Sequence, residues 1–136
     1  MIRGINHITL SISDLDRSIT FYTDVLGCGL VARWDDGCYL EAGALWLALV
    51  VEDSVRSTPL PEYTHMAFDV AAADFSATAD RVRQSGATVF QDNSTEGASL
   101  YFLDPDGHKL ELHVGSLTTR LDAMRREPWD GLEILV

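Results

Sequence analysis

The sequence predicts an α+β protein made of two βαβββ modules, and three observations support this prediction. Short stretches alternate apolar with polar residues and are bounded by glycine and aspartate, as is typical of strands. An amphipathic segment that ends at a glycine follows the opening strand of each half, as is typical of a helix. The chain has 136 residues, 46% of them hydrophobic, which is enough for one core. We therefore expect a single domain over residues 1–136, whose paired modules form a concave mixed sheet.

The first module is expected at about 4–51. Its opening stretch, GINHITLSIS, reads as a strand, and the helix that follows should be capped near Ser13 and end at Gly27. Three short strands complete the module, at about 29–34, 37–42 and 44–51. The sequence DDG between the first two of these strands indicates a tight turn.

The second module is expected at about 63–115, after a linker at 52–62 that contains two prolines. Its opening strand is followed by a helix that should end at Gly86. Three closing strands are expected at about 87–91, 99–104 and 108–114, with the turn DPDG before the last. The remaining residues, 116–136, should form a short helix and an extended tail.

Composition excludes several classes of partner. The formal net charge is −11 and the chain contains a single lysine, so a nucleic-acid surface is not expected. No stretch approaches the roughly 18 consecutive apolar residues of a membrane span, and the start MIRGINHITL lacks the form of a signal peptide, so we expect a cytoplasmic protein with no membrane contact. Cys28 and Cys38 form no CxxC motif and are expected to be reduced thiols.

Three polar residues indicate a metal site. His7 and His65 hold equivalent places in the opening strands of the two halves, and the alternation turns both away from the apolar face. Glu111 lies between two leucines in GHKLELHV, so its carboxylate is costly to bury unless a cation meets it. Two imidazoles and one carboxylate on such a surface predict a divalent metal ion with open coordination positions.

Other interpretations stay open on the residues alone. The histidines are equally explained as hydrogen-bonded structural residues, and the Glu111 face as a wet surface. His113 shares the face of Glu111 and is an alternative ligand. His108, in the turn, is expected to be a solvated or turn-capping residue.

Three stretches carry a resemblance to a known family: NHITLSISDLDRSITFY, YTHMAF and YFLDPDGHKLELHVGSL. They resemble the vicinal oxygen chelate superfamily and, within it, the fosfomycin resistance glutathione transferases of the FosA type, over about residues 2–129. The resemblance implies the vicinal oxygen chelate fold and a domain-swapped homodimer with shared active sites. It also implies Mn(II), bound by His7 of one subunit and by His65 and Glu111 of the other.

By the same resemblance, the protein opens the epoxide of fosfomycin by adding the thiol of glutathione, with K⁺ as an activator. Catalytic roles fall to Thr9, Tyr39 and Arg120. The implied substrate-binding residues are Thr9, Trp46, Tyr63, Gln91, Thr95, Tyr101 and Arg120. The implied thiol channel contains Trp34 and Tyr39. The implied potassium loop uses Asn93, Thr95, Gly97 and Ser99.

Simpler roles for some of these residues also stay open on the sequence alone. Trp34 and Trp46 are equally explained as core residues, and Arg120 as an exposed helix residue. The loop 92–99 has the composition of an ordinary polar hairpin loop.

One position departs from the family pattern. The family usually has a lysine where this chain has Gln91, so one positive charge near a dianionic substrate is missing. A charge-assisted hydrogen bond contributes about 1.5–3 kcal/mol, and its loss would lower affinity or rate roughly tenfold to a hundredfold. Other activities also stay open: another thiol or water as nucleophile, with Glu41 as the base for water; an Fe(II) dioxygenase; or a metal-free antibiotic-binding protein.

Overall fold

The computed structural model describes all residues, Met1–Val136, and shows the βαβββ order in both halves. The first half contains β1 (His7–Ile12), α1 (Leu15–Thr20), β2 (Gly29–Trp34), β3 (Gly37–Ala42) and β4 (Leu45–Val51). The second half contains β5 (Met66–Asp69), α2 (Ala72–Gln84), β6 (Val89–Gln91), β7 (Ser99–Leu103) and β8 (Lys109–His113). A third helix, α3 (Leu117–Arg126), follows. The predicted α+β class is therefore confirmed.

Each half forms its own four-stranded mixed sheet. The strand order is β1-β4-β3-β2 in one sheet and β5-β8-β7-β6 in the other. The pairs β1·β4 and β5·β8 are parallel, and the remaining pairs are antiparallel. Ile8 pairs with Leu47 as Met66 pairs with Leu110, so the two sheets repeat each other in register. His7 and His65, each one residue earlier, occupy equivalent positions.

The first helix is capped one residue from the predicted Ser13, and its helical turns end at Leu26, directly before the predicted Gly27. Its N-cap is Asp14, whose Oδ1 accepts a hydrogen bond from the backbone N–H of Arg17 at 2.9 Å, and not Ser13. After Thr20 the helix widens into a π-helical turn, Phe21–Val25. Phe21 and Tyr22 in this turn are both buried in the core, as are Leu15 and Ser18 of the preceding helix.

The hydrophobic core is shared by the two halves. Its buried residues come from both: Ile12, Leu15, Phe21, Tyr22, Cys28, Cys38, Leu40, Leu47, Leu49, Ala79, Val82, Leu100, Phe102, Leu110 and Leu112. Both cysteines are free, and burial raises the pKa of the Cys28 thiol to about 11. The shared core supports a single domain over 1–136; that division and the module limits at about 4–51 and 63–115 stay predictions.

A polar turn of the second half, residues 104–107, is bonded to the first half. The Tyr22 hydroxyl donates to Asp104 Oδ2 at 2.8 Å, while Asp104 Oδ1 accepts the backbone N–H groups of Asp106 and His108 at 2.9 and 2.8 Å. Asp106 accepts from the Ser13 hydroxyl and backbone N–H at 2.5 and 3.2 Å. The bond to Asp106 explains why Ser13 does not cap the helix.

His108 completes this junction and corrects one expectation. Its side chain is buried, not solvated, and its Nε2 lies 2.7 Å from the carbonyl oxygen of Ser11, 97 residues away in sequence. A carbonyl oxygen only accepts hydrogen bonds, so Nε2 carries the hydrogen. His108 therefore joins the turn of the second half to β1 of the first.

None of the three helices is long and apolar enough to cross a membrane.

Asp104 predicts a pH dependence of stability. Burial is the largest effect on its carboxyl and raises the pKa, although His108 and the hydrogen bonds oppose it. Because the pKa is higher in the folded state, the unfolded chain ionises first as the pH rises, and stability falls from about pH 4 upward. We expect the free energy of unfolding of the wild type to decrease relative to Asp104→Asn between pH 4 and 7, measured by urea denaturation. Asp130→Asn, in the exposed tail, is the control, and a difference that does not change with pH would contradict the prediction.

Candidate metal and substrate site

The centre of the candidate site is the carboxylate of Glu111, in the middle of β8. The residue is only 5% exposed. Its Oε1 accepts a hydrogen bond from the Ser99 hydroxyl at 2.7 Å, and its Oε2 lies 3.0 Å from His65 Nε2. The ion pairs of Glu111 involve histidines alone, so no lysine or arginine compensates the buried charge. Such a carboxylate is costly to bury unless a proton or a metal ion accompanies it.

His113 is held in one orientation beside this carboxylate. Its Nδ1 lies 2.8 Å from the Ser99 hydroxyl and 3.4 Å from Glu111 Oε1. Because Ser99 gives its single hydrogen to Glu111, it accepts from His113, whose Nδ1 therefore carries the hydrogen. A Cβ at Gly115 would lie 2.7 Å from the ring's Nε2, so glycine is needed there for space. His113 supports Glu111, and His65 is left as the imidazole that faces the free carboxylate oxygen.

The donor atoms of His65 and Glu111 fit a divalent metal ion. Imidazole nitrogen and carboxylate oxygen suit borderline and hard ions such as Mn(II), Fe(II) or Zn(II). Two ligands at about 2.1–2.2 Å from one ion, in adjacent octahedral positions, lie about 3.0 Å apart. The observed separation of 3.0 Å is compatible with this spacing and is equally the distance of a direct N–H···O hydrogen bond between the two side chains. The two residues therefore have the chemistry of two of the three predicted ligands.

His7 does not reach these two residues within one chain. It begins β1 in the other sheet, where its Nδ1 lies 2.7 Å from Asn6 Oδ1 and its ring packs on Trp46 at 4.4 Å between centroids. No group of three or more His, Cys, Asp or Glu side chains in the chain is arranged to hold a metal ion. Since Asn6 Oδ1 accepts, Nδ1 of His7 carries the hydrogen and Nε2 keeps a free lone pair. One chain thus brings together two of the three predicted ligands.

An aromatic row extends from His7 across the first sheet. The ring centroids are 4.4 Å apart for His7 and Trp46, 5.0 Å for Trp46 and Tyr39, and 4.8 Å for Tyr39 and Trp34. Trp34, Tyr39 and Trp46 are each 38% exposed, which contradicts the alternative that the two tryptophans are core residues. Thr9 lies exposed on the same face as His7. The predicted thiol-channel and substrate residues of the first half therefore form one open surface.

Three of the predicted substrate residues of the second half, Tyr63, Gln91 and Tyr101, lie near His65. Tyr101 lies opposite Glu111 on the neighbouring strand, and its ring is 5.8 Å from that of His65. The Tyr63 ring approaches His65 from another side at 5.5 Å, and the Gln91 amide donates to the Tyr63 hydroxyl at 3.0 Å. These four residues and Glu111 form a continuous group on the second sheet.

The predicted potassium loop is closed by one of its own side chains. The Asn93 amide donates to the Gly97 carbonyl at 2.8 Å, and Asn93 Oδ1 accepts from the Thr95 backbone N–H and hydroxyl at 3.1 and 3.2 Å. Gly97 has φ +82°, and a Cβ there would collide with the Val114 carbonyl oxygen. Ser99 begins β7 and turns its hydroxyl toward Glu111.

Arg120 is half-buried beside this loop. Its Nε lies 3.8 Å from Glu96 Oε2, a buried oxygen that has no hydrogen-bond partner. The pairing contradicts the alternative of a fully exposed helix residue. Sequence reasoning missed Glu96, and the only signal was an acidic residue inside an otherwise neutral part of the loop.

Sequence reasoning also missed the role of Lys109. Alternation along β8 places it on the face of Glu111, but its ammonium donates to the carbonyl oxygens of Leu60 and Glu62 at 2.6 and 2.8 Å. The chain's single lysine therefore holds the segment that precedes Tyr63. The period-2 pattern indicates the face that Lys109 occupies but not the carbonyl groups that it meets there.

The largest cavity lies away from this site. It has a volume of about 840 Å³ and is lined by the linker around 55–59, by α1 and by the turn 104–107. None of the three predicted metal ligands lines it. The candidate residues lie instead on faces of the two sheets that are open in a single chain.

Comparisons with known proteins identify the family of the chain. The family described as Glyoxalase/Bleomycin resistance protein/Dioxygenase superfamily matches residues 4–112. The glutathione transferase FosA of Serratia marcescens is 50% identical over 134 residues, covering 97% of this chain and 95% of that protein. The metallothiol transferase FosB of Lysinibacillus sphaericus is 37% identical, covering 93% and 92%.

Solved structures show the same fold. A variant of the fosfomycin resistance protein FosX of Listeria monocytogenes, complexed with Mn(II) and 1S,2S-dihydroxypropylphosphonic acid, has a TM-score of 0.80 and 28% identity, covering 90% of this chain and 98% of that one. FosX of Mesorhizobium loti has a TM-score of 0.74 and 34% identity, covering 89% and 99%. The chain therefore belongs to the Glyoxalase/Bleomycin resistance protein/Dioxygenase superfamily and is similar over nearly its whole length to the transferases FosA and FosB and to the fosfomycin resistance protein FosX.

Proposed function

We propose that this protein is a metal-dependent fosfomycin resistance enzyme, a glutathione transferase that opens the epoxide of fosfomycin by thiol addition. The observation that carries the proposal is the buried Glu111 carboxylate, 3.0 Å from His65 and without a lysine or arginine partner. That arrangement occurs in a chain 50% identical to a glutathione transferase named FosA. In a metal-free protein, only a proton would compensate this buried carboxylate.

The proposed metal ligands are His7, His65 and Glu111, with Mn(II) as the ion. Mn(II) is present in the FosX structure that shares this fold. When bound, it would act as a Lewis acid on the oxygen atoms of the substrate. Ser99 and His113 hold the Glu111 carboxylate in place, and Asn6 orients His7.

We propose a homodimer in which His7 of one subunit completes the site formed by His65 and Glu111 of the other. One chain does not cluster the three ligands, and the aromatic row beside His7 is exposed. A two-fold symmetric pair would bring the first sheet of each subunit to the second sheet of its partner and form two equivalent sites. Covering Trp34, Tyr39 and Trp46 would also remove apolar surface from water.

The remaining residues are proposed to bind and orient the two substrates. The Arg120 guanidinium and the hydroxyls of Thr9, Thr95 and Tyr101 meet the phosphonate, and Trp46 packs on the small substrate. K⁺ near the loop that contains Asn93 and Gly97 would add positive charge.

Tyr39, beside Trp34, hydrogen-bonds the thiol of glutathione and favours the thiolate. The sulfur attacks one epoxide carbon, a C–S bond forms as the C–O bond breaks, and the released oxygen takes up a proton.

The cytoplasmic location expected from the sequence stays a prediction.

The central test is ³¹P NMR of fosfomycin mixed with the protein, Mn(II), K⁺ and glutathione. We expect a new phosphonate signal that requires both the metal and the thiol, and mass spectrometry should show the mass of the glutathione adduct. If the new signal grows without thiol and the product has the mass of the diol, the nucleophile is water. An unchanged spectrum with metal-loaded protein would rule out fosfomycin as the substrate.

Glu111→Gln tests the metal site. The variant keeps the size of the side chain but removes its charge, so we expect Mn(II) affinity and activity to fall by about 100-fold or more, since loss of a ligand's outer support alone costs about 10–100-fold. Mn(II) binding is measured by electron paramagnetic resonance. Glu133→Gln, in the C-terminal tail, is the matched control and should bind like the wild type. Normal Mn(II) affinity in Glu111→Gln would exclude this carboxylate as a ligand.

Subunit mixing tests the shared site. His7→Ala and Glu111→Gln chains should each be inactive alone, but a mixed dimer contains one site with all three ligands. Random reassembly of equal amounts should restore about a quarter of wild-type activity. Mixtures that stay inactive, although mass spectrometry shows mixed dimers, would contradict ligand sharing between subunits.

A further inference from the structure

The Tyr63 side chain needs a contact with another residue to stay in one orientation and bind a ligand. It lies between the linker and β5, outside any helix or strand, and is 69% exposed. A side chain with so little packing moves freely unless a specific contact holds it, and ordering it on binding costs free energy. Its neighbours in the structure are the His65 ring, edge-on at 5.5 Å, and the amide of Gln91 at 3.0 Å.

The backbone before Tyr63 is already fixed. Lys109 donates to the carbonyl oxygens of Leu60 and Glu62, which anchors this segment to β8 beside Glu111. The anchor uses the only lysine of the chain, so no second lysine is available to meet an anionic substrate. The position of Tyr63 is thus set, and its side chain depends on Gln91.

Gln91 is aimed at Tyr63 by an irregular strand. It ends β6, a strand of three residues, and the register with β7 shifts between Val89 and Gln91. Such irregularities redirect a side chain relative to a regular pleat. Gln91 pairs with Tyr101, which in turn lies opposite Glu111. The amide therefore extends from the strand next to the buried carboxylate toward Tyr63.

The direction of the hydrogen bond determines what Tyr63 can do. Gln91 Nε2 donates to the phenolic oxygen, so the hydroxyl hydrogen of Tyr63 is free to donate to another acceptor. A hydroxyl that accepts one hydrogen bond becomes a better donor in the next. An anionic oxygen bound near His65 is a suitable acceptor.

We propose that Gln91 is a positioning residue that fixes Tyr63, so that the Tyr63 hydroxyl donates to an anionic oxygen of the substrate. A neutral amide and a phenol would then partly replace the missing lysine. The identity of the anion rests on the proposed function, whereas the coupling of Gln91 to Tyr63 rests on the structure.

A double-mutant cycle tests this coupling through binding, without turnover. The dissociation constant of fosfomycin is measured by calorimetry with Mn(II)-loaded protein and no thiol, for wild type, Gln91→Leu, Tyr63→Phe and the double variant. We expect each single change to weaken binding about fivefold. The double variant should bind within about twofold of Tyr63→Phe, because Gln91 acts through the hydroxyl that this variant lacks.

Two further variants separate positioning from general damage. Gln91→Lys keeps a donor for Tyr63 and adds a charge, so it should bind at least as tightly as the wild type. Gln84→Leu makes the same change as Gln91→Leu at the exposed end of α2 and should have no effect. In turnover, Gln91→Leu should raise KM for fosfomycin about fivefold and leave KM for glutathione unchanged.

The outcomes distinguish this inference from the proposed function. Multiplicative losses, about 25-fold in the double variant, would show independent action and overturn the inference while leaving the transferase intact. Coupled losses in a protein that binds fosfomycin but forms no thiol adduct would support the inference and overturn the transferase. A wild type that does not bind fosfomycin would overturn both.

Discussion

The arrangement of this protein depends on one constraint: each sheet must bury one face in a core that the two halves share. Leu110 and Leu112 of β8 and Leu47 and Leu49 of β4 are almost fully buried there. Because side chains alternate along a strand, the residues between them must lie on the opposite face. Glu111 lies on that face for this reason, as do the other candidate residues on the strands. Because the apolar face of each sheet is buried, the polar and aromatic candidate residues lie together on the opposite face.

The junction between the halves is polar, although the core beneath it is apolar. The turn 104–107 directs two carboxylates into the first half, where Tyr22, Ser13 and backbone N–H groups satisfy them. Hydrogen bonds to charged groups contribute about 1.5–3 kcal/mol each, and a partner lost from a buried group costs at least as much. Directional bonds of this kind set the relative position of the halves in a way that hydrophobic contact alone does not.

The charge distribution places opposing demands on the candidate site. The chain has a formal net charge of −11, and a buried carboxylate lies at the centre of the site. An anionic substrate needs positive groups, but the single lysine anchors a loop and Arg120 faces Glu96. A divalent ion on His65 and Glu111 would resolve the conflict, because it neutralises the carboxylate and attracts the anion. Gln91 and Tyr63 then add hydrogen bonds without adding charge.

The sequence alone determined the features that depend on local periodicity. Alternation predicted the strands to within a few residues, the placement of Glu111 on the face opposite its leucine neighbours, and the equivalence of His7 and His65. The motifs NHITLSISDLDRSITFY and DPDGHKLELHV also indicated the family, because each motif is a continuous stretch that can be recognised without the fold. Features that depend on residues distant in sequence were decided by the tertiary structure alone. Asp106 accepts the hydrogen bond of the Ser13 hydroxyl across 93 residues, so Ser13 does not cap the helix. His108 is buried against Ser11 across 97 residues.

Two further contacts were not predicted because their partners are also distant in sequence. They are the hydrogen bond of Gln91 to Tyr63, across 28 residues, and the anchoring of residues 60–62 by Lys109. A pattern within one strand shows which face a side chain occupies. The partner that it meets there depends on how the strands and linkers pack, and only the folded chain sets that packing.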